Sequence, residues 1–274
     1  MLMFVLLLLA LAQGPGEARR HYDRGVEQYR AGRYEEAVES FRHALRLKPD
    51  WAEAHNNLGV AYNDLGRHDE AARSLGEAIR LNPTIPEAHR SLGLAFYKLG
   101  RHREAVEALK HAVRLKPDNA LAFNNMGVVY IDLGLYAEAV EALTRAVRLD
   151  PAHVEAYYNL GTARLSMGQY AESVEFFKRA IDINPSLTEA HNSLGVAHYN
   201  LRRYKEAVKS FKEAISLRPS YASARFNLGA TYLALKDKGA ALKQYKVLQP
   251  LDAKLARELY DGIYKGMFLA VPNK

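Results

Sequence analysis

The sequence predicts an all-α protein, a right-handed α-solenoid of seven helix-turn-helix hairpins followed by a C-terminal capping helix. Two observations predict this fold: small residues and prolines recur every 34 residues, and each interval contains two apolar stripes at helical spacing. The recurring residues are Pro49, Pro83, Pro117, Pro151, Pro185 and Pro219, with Gly25, Gly59, Gly93, Gly127, Gly161, Gly195 and Gly229. Such a chain has no single central core, because each hairpin buries its apolar side against its neighbours.

The second repeat shows why each interval should fold as a hairpin. Its two apolar stripes consist of Ala54, Leu58, Ala61, Tyr62 and Leu65, and of Ala71, Leu75, Ala78 and Ile79. Between them stands Gly66, which can adopt the left-handed conformation that ends a helix. After them, Asn82-Pro83 stops the second helix, because proline cannot continue the hydrogen-bond ladder. Gly59 and Ala78 are expected where helices approach closely.

The period and its small residues resemble the tetratricopeptide repeat family. The resemblance covers residues 18–255 and divides them into repeats 18–51, 52–85, 86–119, 120–153, 154–187, 188–221 and 222–255.

Both ends of this array are expected to differ from the internal repeats. Arg20 and Arg24 replace the alanine and leucine of the other repeats, because no earlier hairpin covers them. In the seventh repeat Leu248 replaces an alanine. A capping helix is predicted at about 252–267, so that residues 256–274 contain the end of this helix and a tail.

The N-terminal residues 1–12, MLMFVLLLLALA, form an uncharged apolar run. A spanning helix needs about 20 apolar residues, so this run is too short. It is typical of the apolar core of a secretory signal, and Ala10-Leu11-Ala12 offers a cleavage site. We therefore expect export to a periplasm or secretion, with a membrane anchor or a cytoplasmic protein as alternatives. Residues 13–17 are predicted to be a short linker.

Composition excludes some kinds of site and points to one charged surface. The 274 residues are 49% hydrophobic and 25% charged and include no cysteine, which excludes disulfides and thiolate chemistry. Residues 200–274 contain 15 Lys/Arg against 6 Asp/Glu, a net charge of +9, whereas residues 1–199 have a net charge of −2. The C-terminal end could therefore attract an acidic partner, an anionic membrane or nucleic acid.

No pattern of catalytic or metal-binding residues emerges from the sequence. Phosphate-binding glycine loops, a His-Glu-x-x-His helix and a Gly-x-Ser-x-Gly elbow are all missing. His55, His89 and His191 share one repeat position, but successive repeats lie on the order of 20 Å apart, too far to share a metal. They are interpreted as packing residues. The sequence predicts no enzyme, no cofactor and no metal site.

One repeat position breaks the pattern in the middle of the chain. It holds an aromatic residue in most repeats but becomes Arg164 and His198 in the fifth and sixth. The change indicates either a polar pocket or a long side chain that reaches past its neighbours to water.

The family resemblance implies where a partner binds. In these proteins the first helix of each hairpin lines a concave groove, and the matching residues here are Tyr22, Asn56, Arg90, Asn124, Tyr158, Asn192 and Phe226. The next residue in each repeat is polar and includes Asn57, Asn125, Asn159 and Asn227. An amide can both donate to and accept from a peptide backbone. The row resembles the asparagine-lined repeats of O-linked N-acetylglucosamine transferases; alternatively, Asn57 and its equivalents only tie neighbouring loops together.

These observations predict a non-enzymatic scaffold that binds an extended segment of another protein in its groove. The alternative is an electrostatic adaptor whose basic C-terminal end attaches to an acidic protein, lipid or nucleic acid. Export disfavours nucleic acid, while membrane association through residues 1–12 or the basic end remains open.

Overall fold

The computed structural model describes residues 2–266, 269 and 271, with side chains from Gly16 onward. Within these residues the chain forms fifteen α-helices and no strand, as an all-α helical repeat solenoid. The helices are α1 (Leu2–Arg30), α2 (Tyr34–Leu47), α3 (Ala52–Asp64), α4 (His68–Leu81), α5 (Pro86–Lys98), α6 (His102–Leu115), α7 (Ala120–Asp132), α8 (Tyr136–Leu149), α9 (Val154–Ser166), α10 (Tyr170–Ile183), α11 (Thr188–Asn200), α12 (Tyr204–Leu217), α13 (Ala222–Ala234), α14 (Lys238–Leu248) and α15 (Ala253–Lys265).

The chain divides into two compact units, residues 1–134 and 135–274. In unit 1, α1 packs with α2, α3 with α4 and α5 with α6, and each second helix also packs on the next first helix. In unit 2, α9, α11 and α13 pack in the same way with α10, α12 and α14. From the second repeat on, every first helix begins at the first residue of a predicted repeat.

The hairpin α3/α4 confirms the two predicted stripes. Ala54, Leu58 and Tyr62 are buried on α3, and Leu75 and Ala78 on α4. The turn between the helices is closed by backbone bonds. The Arg67 amide donates to the Tyr62 carbonyl at 2.8 Å and the Gly66 amide to the Asn63 carbonyl at 3.0 Å, the Schellman arrangement.

The turn needs a residue with positive φ, which explains its glycine. Gly66 has φ +72, and glycines occupy the same place in the first, third, fourth and fifth repeats. The sixth and seventh repeats use Arg202 (φ 57) and Lys236 (φ 62) instead. A side chain in this conformation costs roughly 1–2 kcal/mol, so these two turns are strained.

The glycine at the eighth repeat position marks the closest approach of the two helices. A Cβ added at Gly59 would lie 2.5 Å from Leu75 Cγ and 3.2 Å from the Ala71 carbonyl oxygen. Gly25 meets Phe41 of its own hairpin in the same way. The expected structural role of this glycine is therefore confirmed.

At the N-terminal end, α1 continues through the predicted linker. Residues 13–17 lie within α1, so the structure has helix where a linker was predicted, although a proline inside a helix removes a backbone donor and disfavours the helix. Arg20 and Arg24 are exposed, as expected for a first repeat. The signal or anchor predicted at 1–12 depends on side chains outside the described residues. Nowhere in the described part of the chain is a helix both long and apolar enough to span a membrane.

The predicted capping helix is α15, which packs on α13 and α14. Asp252 caps its start by accepting from the Leu255 amide at 2.9 Å, and Gly266 ends it with φ 69. Leu259 lies closest to Gly229, in the place that a second-helix side chain takes at Gly25, Gly59, Gly93, Gly161 and Gly195. The capping helix therefore completes the packing of α13. The tail predicted after it lies mostly outside the described residues.

Candidate functional site

The candidate site is the side of each first helix that does not meet the second helix. Successive helical residues turn by about 100°, so the sixth repeat position lies opposite the eighth, which faces the second helix. We call the fifth, sixth and ninth positions the first-helix face. In unit 1 these are Tyr22, Asp23 and Val26 on α1, Asn56, Asn57 and Val60 on α3, Arg90, Ser91 and Leu94 on α5, and Asn124, Asn125 and Val128 on α7. In unit 2 they are Tyr158, Asn159 and Thr162 on α9, Asn192, Ser193 and Val196 on α11, and Phe226, Asn227 and Ala230 on α13.

Two asparagines of this face connect neighbouring first helices. Asn57 Nδ2 donates to the Tyr22 hydroxyl at 2.9 Å, and its Oδ1 accepts from Asn56 Nδ2 at 3.1 Å. In unit 2, Asn227 Nδ2 donates to Asn192 Oδ1 at 3.1 Å. Burial raises the pKa of Tyr22, and the bond from Asn57 opposes this shift. These amides act as ties between helices, which corresponds to the structural alternative, although they join helices and not loops.

A second type of tie was missed by sequence reasoning. Tyr29 donates to Asp64 at 2.5 Å and Tyr97 to Asp132 at 2.8 Å, each from one first helix to the next. Burial, with the bond to Asp132, raises the pKa of Tyr97 to about 12. The signal in the sequence was a tyrosine followed 35 residues later by an aspartate. Both aspartates remain exposed, so each tie also leaves a negative charge beside the face.

Unit 1 keeps part of its first-helix face accessible. Arg90 and Asn125 are half-buried, and no described residue forms a hydrogen bond or an ion pair with either. Between α1 and α3 lies a cavity of about 160 Å³. Its lining consists of Val26, Tyr29, Arg30, Phe41, Asn57 and Val60. This face offers a cation on α5, an amide on α7 and an apolar depression between α1 and α3.

Four of the predicted groove residues are buried. Asn124 is 8% exposed, Asn192 and Asn227 are 0% exposed, and Phe226 is 2% exposed. Phe226 belongs to a cluster with Leu259 of α15, so the capping helix covers it. Their assignment to a partner-binding groove stays a prediction. Tyr22, Asn56, Asn57, Tyr158 and Asn159 are half-buried, as are Arg90 and Asn125.

The repeated histidines are hydrogen-bonding residues and not only packing residues. His55 Nε2 lies 2.8 Å from the Pro49 carbonyl oxygen, and His89 and His191 make the same contact at 2.9 Å with Pro83 and Pro185. Each ring donates to the loop that ends the preceding hairpin. No group of three or more His, Asp or Glu side chains could hold a metal ion within the described part of the chain.

The irregular position in the fifth and sixth repeats holds two different environments. Arg164 Nη1 donates to Gln169 Oε1 at 2.7 Å and lies 2.9 Å from Glu172 Oε2. His198 is 7% exposed, and its Nδ1 atom has no hydrogen-bond partner among the described residues. Arg164 is therefore a half-buried ion pair within its own hairpin, whereas His198 is a buried ring.

Among the described residues, basic side chains at the C-terminal end form fewer ion pairs with acidic side chains than those of unit 1. Arg33, Arg67 and Arg101 each pair with a glutamate three residues later, at 2.5–3.0 Å. By contrast, three exposed lysines on α12 have no ion pair within the described residues. They are Lys205, Lys209 and Lys212, which share one side of the helix.

The chain consists of hairpins that repeat every 34 residues and present a polar first-helix face. These features define it as a helical repeat protein. Residues 26–186 match the family described as the cilia and flagella-associated protein 70 C-terminal domain, and residues 188–221 match the tetratricopeptide repeat. The first match covers more than half of the chain, which therefore belongs to this family of tetratricopeptide repeat domains. No curated protein matches the sequence significantly.

Solved structures share this fold. PilF of Pseudomonas aeruginosa has a TM-score of 0.67 and 22% identity, over 76% of this chain and 96% of that chain. YrrB, described as a TPR protein with an unusual peptide-binding site, has a TM-score of 0.59 and 23% identity, over 69% and 99%. MamA has a TM-score of 0.55 and 28% identity, over 59% and 94%.

Proposed function

We propose that this chain is a non-enzymatic scaffold that binds an extended segment of another protein on the first-helix face of unit 1. The observation that carries this proposal is the accessible group formed by Arg90, Asn125 and the cavity beside Val26 and Val60. An amide pairs with the backbone of an extended peptide, and an apolar depression takes a side chain. The peptide-binding site described for YrrB supports the same use of the fold.

The electrostatics of this face suggest the character of the segment. Arg90 lies close enough to Tyr29 to lower its pKa, against the larger opposite effects of burial and of Asp64. Asp64 of the second repeat and Asp132 of the fourth are exposed. A segment with an apolar residue for the cavity, flanked by one acidic and one basic side chain, would match this surface.

A pull-down from native extract tests this proposal. The double variant Arg90→Ala/Asn125→Ala should lose the protein that the parent chain retains, because it removes a half-buried cation and a half-buried amide that form no hydrogen bond or ion pair with any described residue. Arg103→Ala is the matched control, since it removes an exposed arginine from the second helix α6. Retention of the same partner by the double variant would contradict binding on this face.

The unpaired lysines of α12 favour a second candidate, an electrostatic adaptor that attaches to an anionic surface. Binding by a basic patch weakens steeply with salt, because bound counterions are released. The same pull-down at low and high salt separates the two candidates. A partner lost at high salt and indifferent to Arg90 and Asn125 would support the adaptor and oppose the scaffold.

A further inference from the structure

Two tyrosines of the capping helix α15 are exposed, unlike the other tyrosines of the protein. The sequence contains 17 tyrosines, all within the described residues. Tyr260 and Tyr264 are 40% and 54% exposed, whereas the others are buried or half-buried. Residues four apart share one face of a helix, so the two rings lie side by side. An exposed aromatic pair in a chain that otherwise shields its tyrosines indicates a contact surface.

A third ring, Tyr245 of α14, extends this pair into a row between the two helices. The ring centroids of Tyr245 and Tyr260 are 5.6 Å apart and those of Tyr260 and Tyr264 are 4.5 Å apart, with the planes tilted by 49° and 39°. A cavity of about 290 Å³ lies beside this row. Its lining consists of Tyr245, Gln249, Ala253, Ala256, Arg257 and Tyr260. We call the three rings and this cavity the tyrosine groove.

The hydroxyl groups of the three tyrosines differ in their hydrogen bonds. Gln249 Nε2 donates to the Tyr245 hydroxyl at 2.9 Å. The hydroxyls of Tyr260 and Tyr264 form no hydrogen bond with a described residue. A tyrosine hydroxyl can donate to a backbone carbonyl. The tyrosine groove therefore combines apolar ring surface with two available donors.

A cation lies at each end of the tyrosine groove. Lys238 Nζ lies 5.7 Å from the centroid of the Tyr264 ring, and Arg257 lines the cavity at the other end. Neither cation forms an ion pair with a described residue. The groove should therefore attract a carboxylate near each end.

The acidic side chains of this region do not compete for these two cations. Asp237 and Asp252 each accept a backbone amide at 2.9 Å and cap α14 and α15. Asp261 Oδ1 lies 2.8 Å from Lys265 Nζ. Glu258 lies on the opposite side of α15 from the tyrosines, because the two residues between Glu258 and position 260 turn the helix by about 200°. Both cations are therefore left for a partner.

We propose that the tyrosine groove binds a proline-rich segment of another protein in the polyproline II conformation, with an acidic residue near each end of the bound stretch. Aromatic grooves suit such segments, because a polyproline helix is extended before it binds and leaves its carbonyl groups free to accept hydrogen bonds. Tilted rings leave gaps for proline side chains, whereas a nucleobase stacks on a flat ring face. This surface is separate from the first-helix face and goes beyond the proposed function.

Helix geometry gives the spacing of the two acidic residues. Arg257 and Tyr264 are seven residues apart, which is about 10 Å along α15. A polyproline helix rises about 3.1 Å per residue with three residues per turn. Carboxylates three residues apart therefore lie on one side of the segment and about 9 Å apart. This spacing matches Arg257 and the Lys238 beside Tyr264, so the expected motif is acidic-Pro-Pro-acidic.

Fluorescence anisotropy with a labelled peptide, Pro-Pro-Glu-Pro-Pro-Glu-Pro-Pro, tests the tyrosine groove on the full chain. The variant Tyr260→Ala/Tyr264→Ala should bind this peptide at least about tenfold more weakly than the parent, because it removes the exposed aromatic anchors. Glu258→Ala is the matched control, since it removes an exposed side chain from the opposite side of α15. Equal binding by the tyrosine variant and the parent, or no binding by the parent, would overturn the proposal.

A charge reversal and a proline-free peptide test the chemistry of the segment. Lys238→Glu/Arg257→Glu should prefer Pro-Pro-Lys-Pro-Pro-Lys-Pro-Pro, whereas the parent should prefer the glutamate peptide. Lys238 is the first residue of α14, where a glutamate is favourable, so the fold should accept the change. Gly-Ser-Glu-Gly-Ser-Glu-Gly-Ser should bind the parent severalfold more weakly than the proline peptide. An unchanged charge preference, or equal binding of the two glutamate peptides, would contradict recognition of an acidic polyproline segment.

Other occupants of the tyrosine groove give different results. A labelled oligothymidine that binds while the proline peptide does not would assign the groove to single-stranded nucleic acid and overturn the proposal. A parent dimer that dissociates in Tyr260→Ala/Tyr264→Ala would assign it to a second copy of this chain, with the same consequence. Arg90→Ala/Asn125→Ala should bind the proline peptide as the parent does, so this proposal and the proposed function can fail separately.

Discussion

At the scale of single residues, equivalent repeat positions carry different chemistry. The aromatic position of Tyr62 and Phe96 becomes a buried histidine at His198. Burial lowers the pKa of His198, and Glu206 opposes this effect while Arg203 adds to it. The folded protein therefore favours the neutral ring.

The pH dependence of stability should report this histidine. Its pKa in the folded state lies below the ordinary value of 6.5, so the unfolded chain binds more protons as the pH falls. The stabilising contribution is complete above about pH 6.5 and is lost as the pH falls through the lower folded pKa. Thermal midpoints at pH 7.5 and pH 5 should fall less in His198→Tyr than in the parent. An identical fall in both would contradict the assignment.

Residue-scale contacts were the least accessible to sequence reasoning. The family pattern identified the row of Asn57 and Asn227, but not that each amide is used to tie two helices together. Each of these amides donates a hydrogen bond to the residue 35 positions earlier, which is Tyr22 for Asn57 and Asn192 for Asn227. That residue therefore decides whether the amide is tied to a neighbouring repeat or left for a partner. His55 was assigned to packing because its hydrogen bond to a proline carbonyl depends on the geometry of the loop, which the sequence does not give.

At the scale of helices, the small residues at fixed positions determine the distance between the two helices of a hairpin. Gly59→Ala should destabilise unit 1 by about 1–3 kcal/mol, because the new methyl group would overlap Leu75 and approach the Ala71 carbonyl. Urea unfolding of the full chain measures this loss.

The control for that substitution lies on the neighbouring helix. Gly76 is exposed on α4, and a Cβ added there meets nothing within 4 Å. Gly76→Ala should therefore stabilise the helix by roughly 0.5–1 kcal/mol. Destabilisation by both substitutions would show that the close approach at Gly59 is not the cause.

The positions of the helices were predictable because every 34-residue repeat contains the same apolar stripes and the same helix-ending residues. The deviations from this pattern were not predictable, because each depends on a contact between residues that are distant in sequence. Leu259 of α15 lies against Gly229 where a second-helix residue does so in other hairpins, and nothing local to the seventh repeat announces that exchange. Asn192 is likewise buried, although Asn56 at the same repeat position is half-buried.

At the scale of the molecule, the two units present different first-helix faces. Unit 1 has a half-exposed face with Arg90, Asn125 and a cavity, whereas Asn192, Val196 and Asn227 of unit 2 are buried. Partner binding should therefore begin on unit 1. The net charge of +9 over residues 200–274 can speed encounter with an acidic partner without determining what the face accepts.

Site-specific photo-crosslinking tests the central claim, that partners bind on the first-helix face of unit 1, most directly. A photoreactive amino acid is placed at Arg90 on this face in one protein and at Arg103 on the second helix α6 in another. Both are exposed to native extract at high salt. We expect one partner band from position 90 and none from position 103. The same band from both positions, or from position 103 alone, would contradict recognition by the first-helix face.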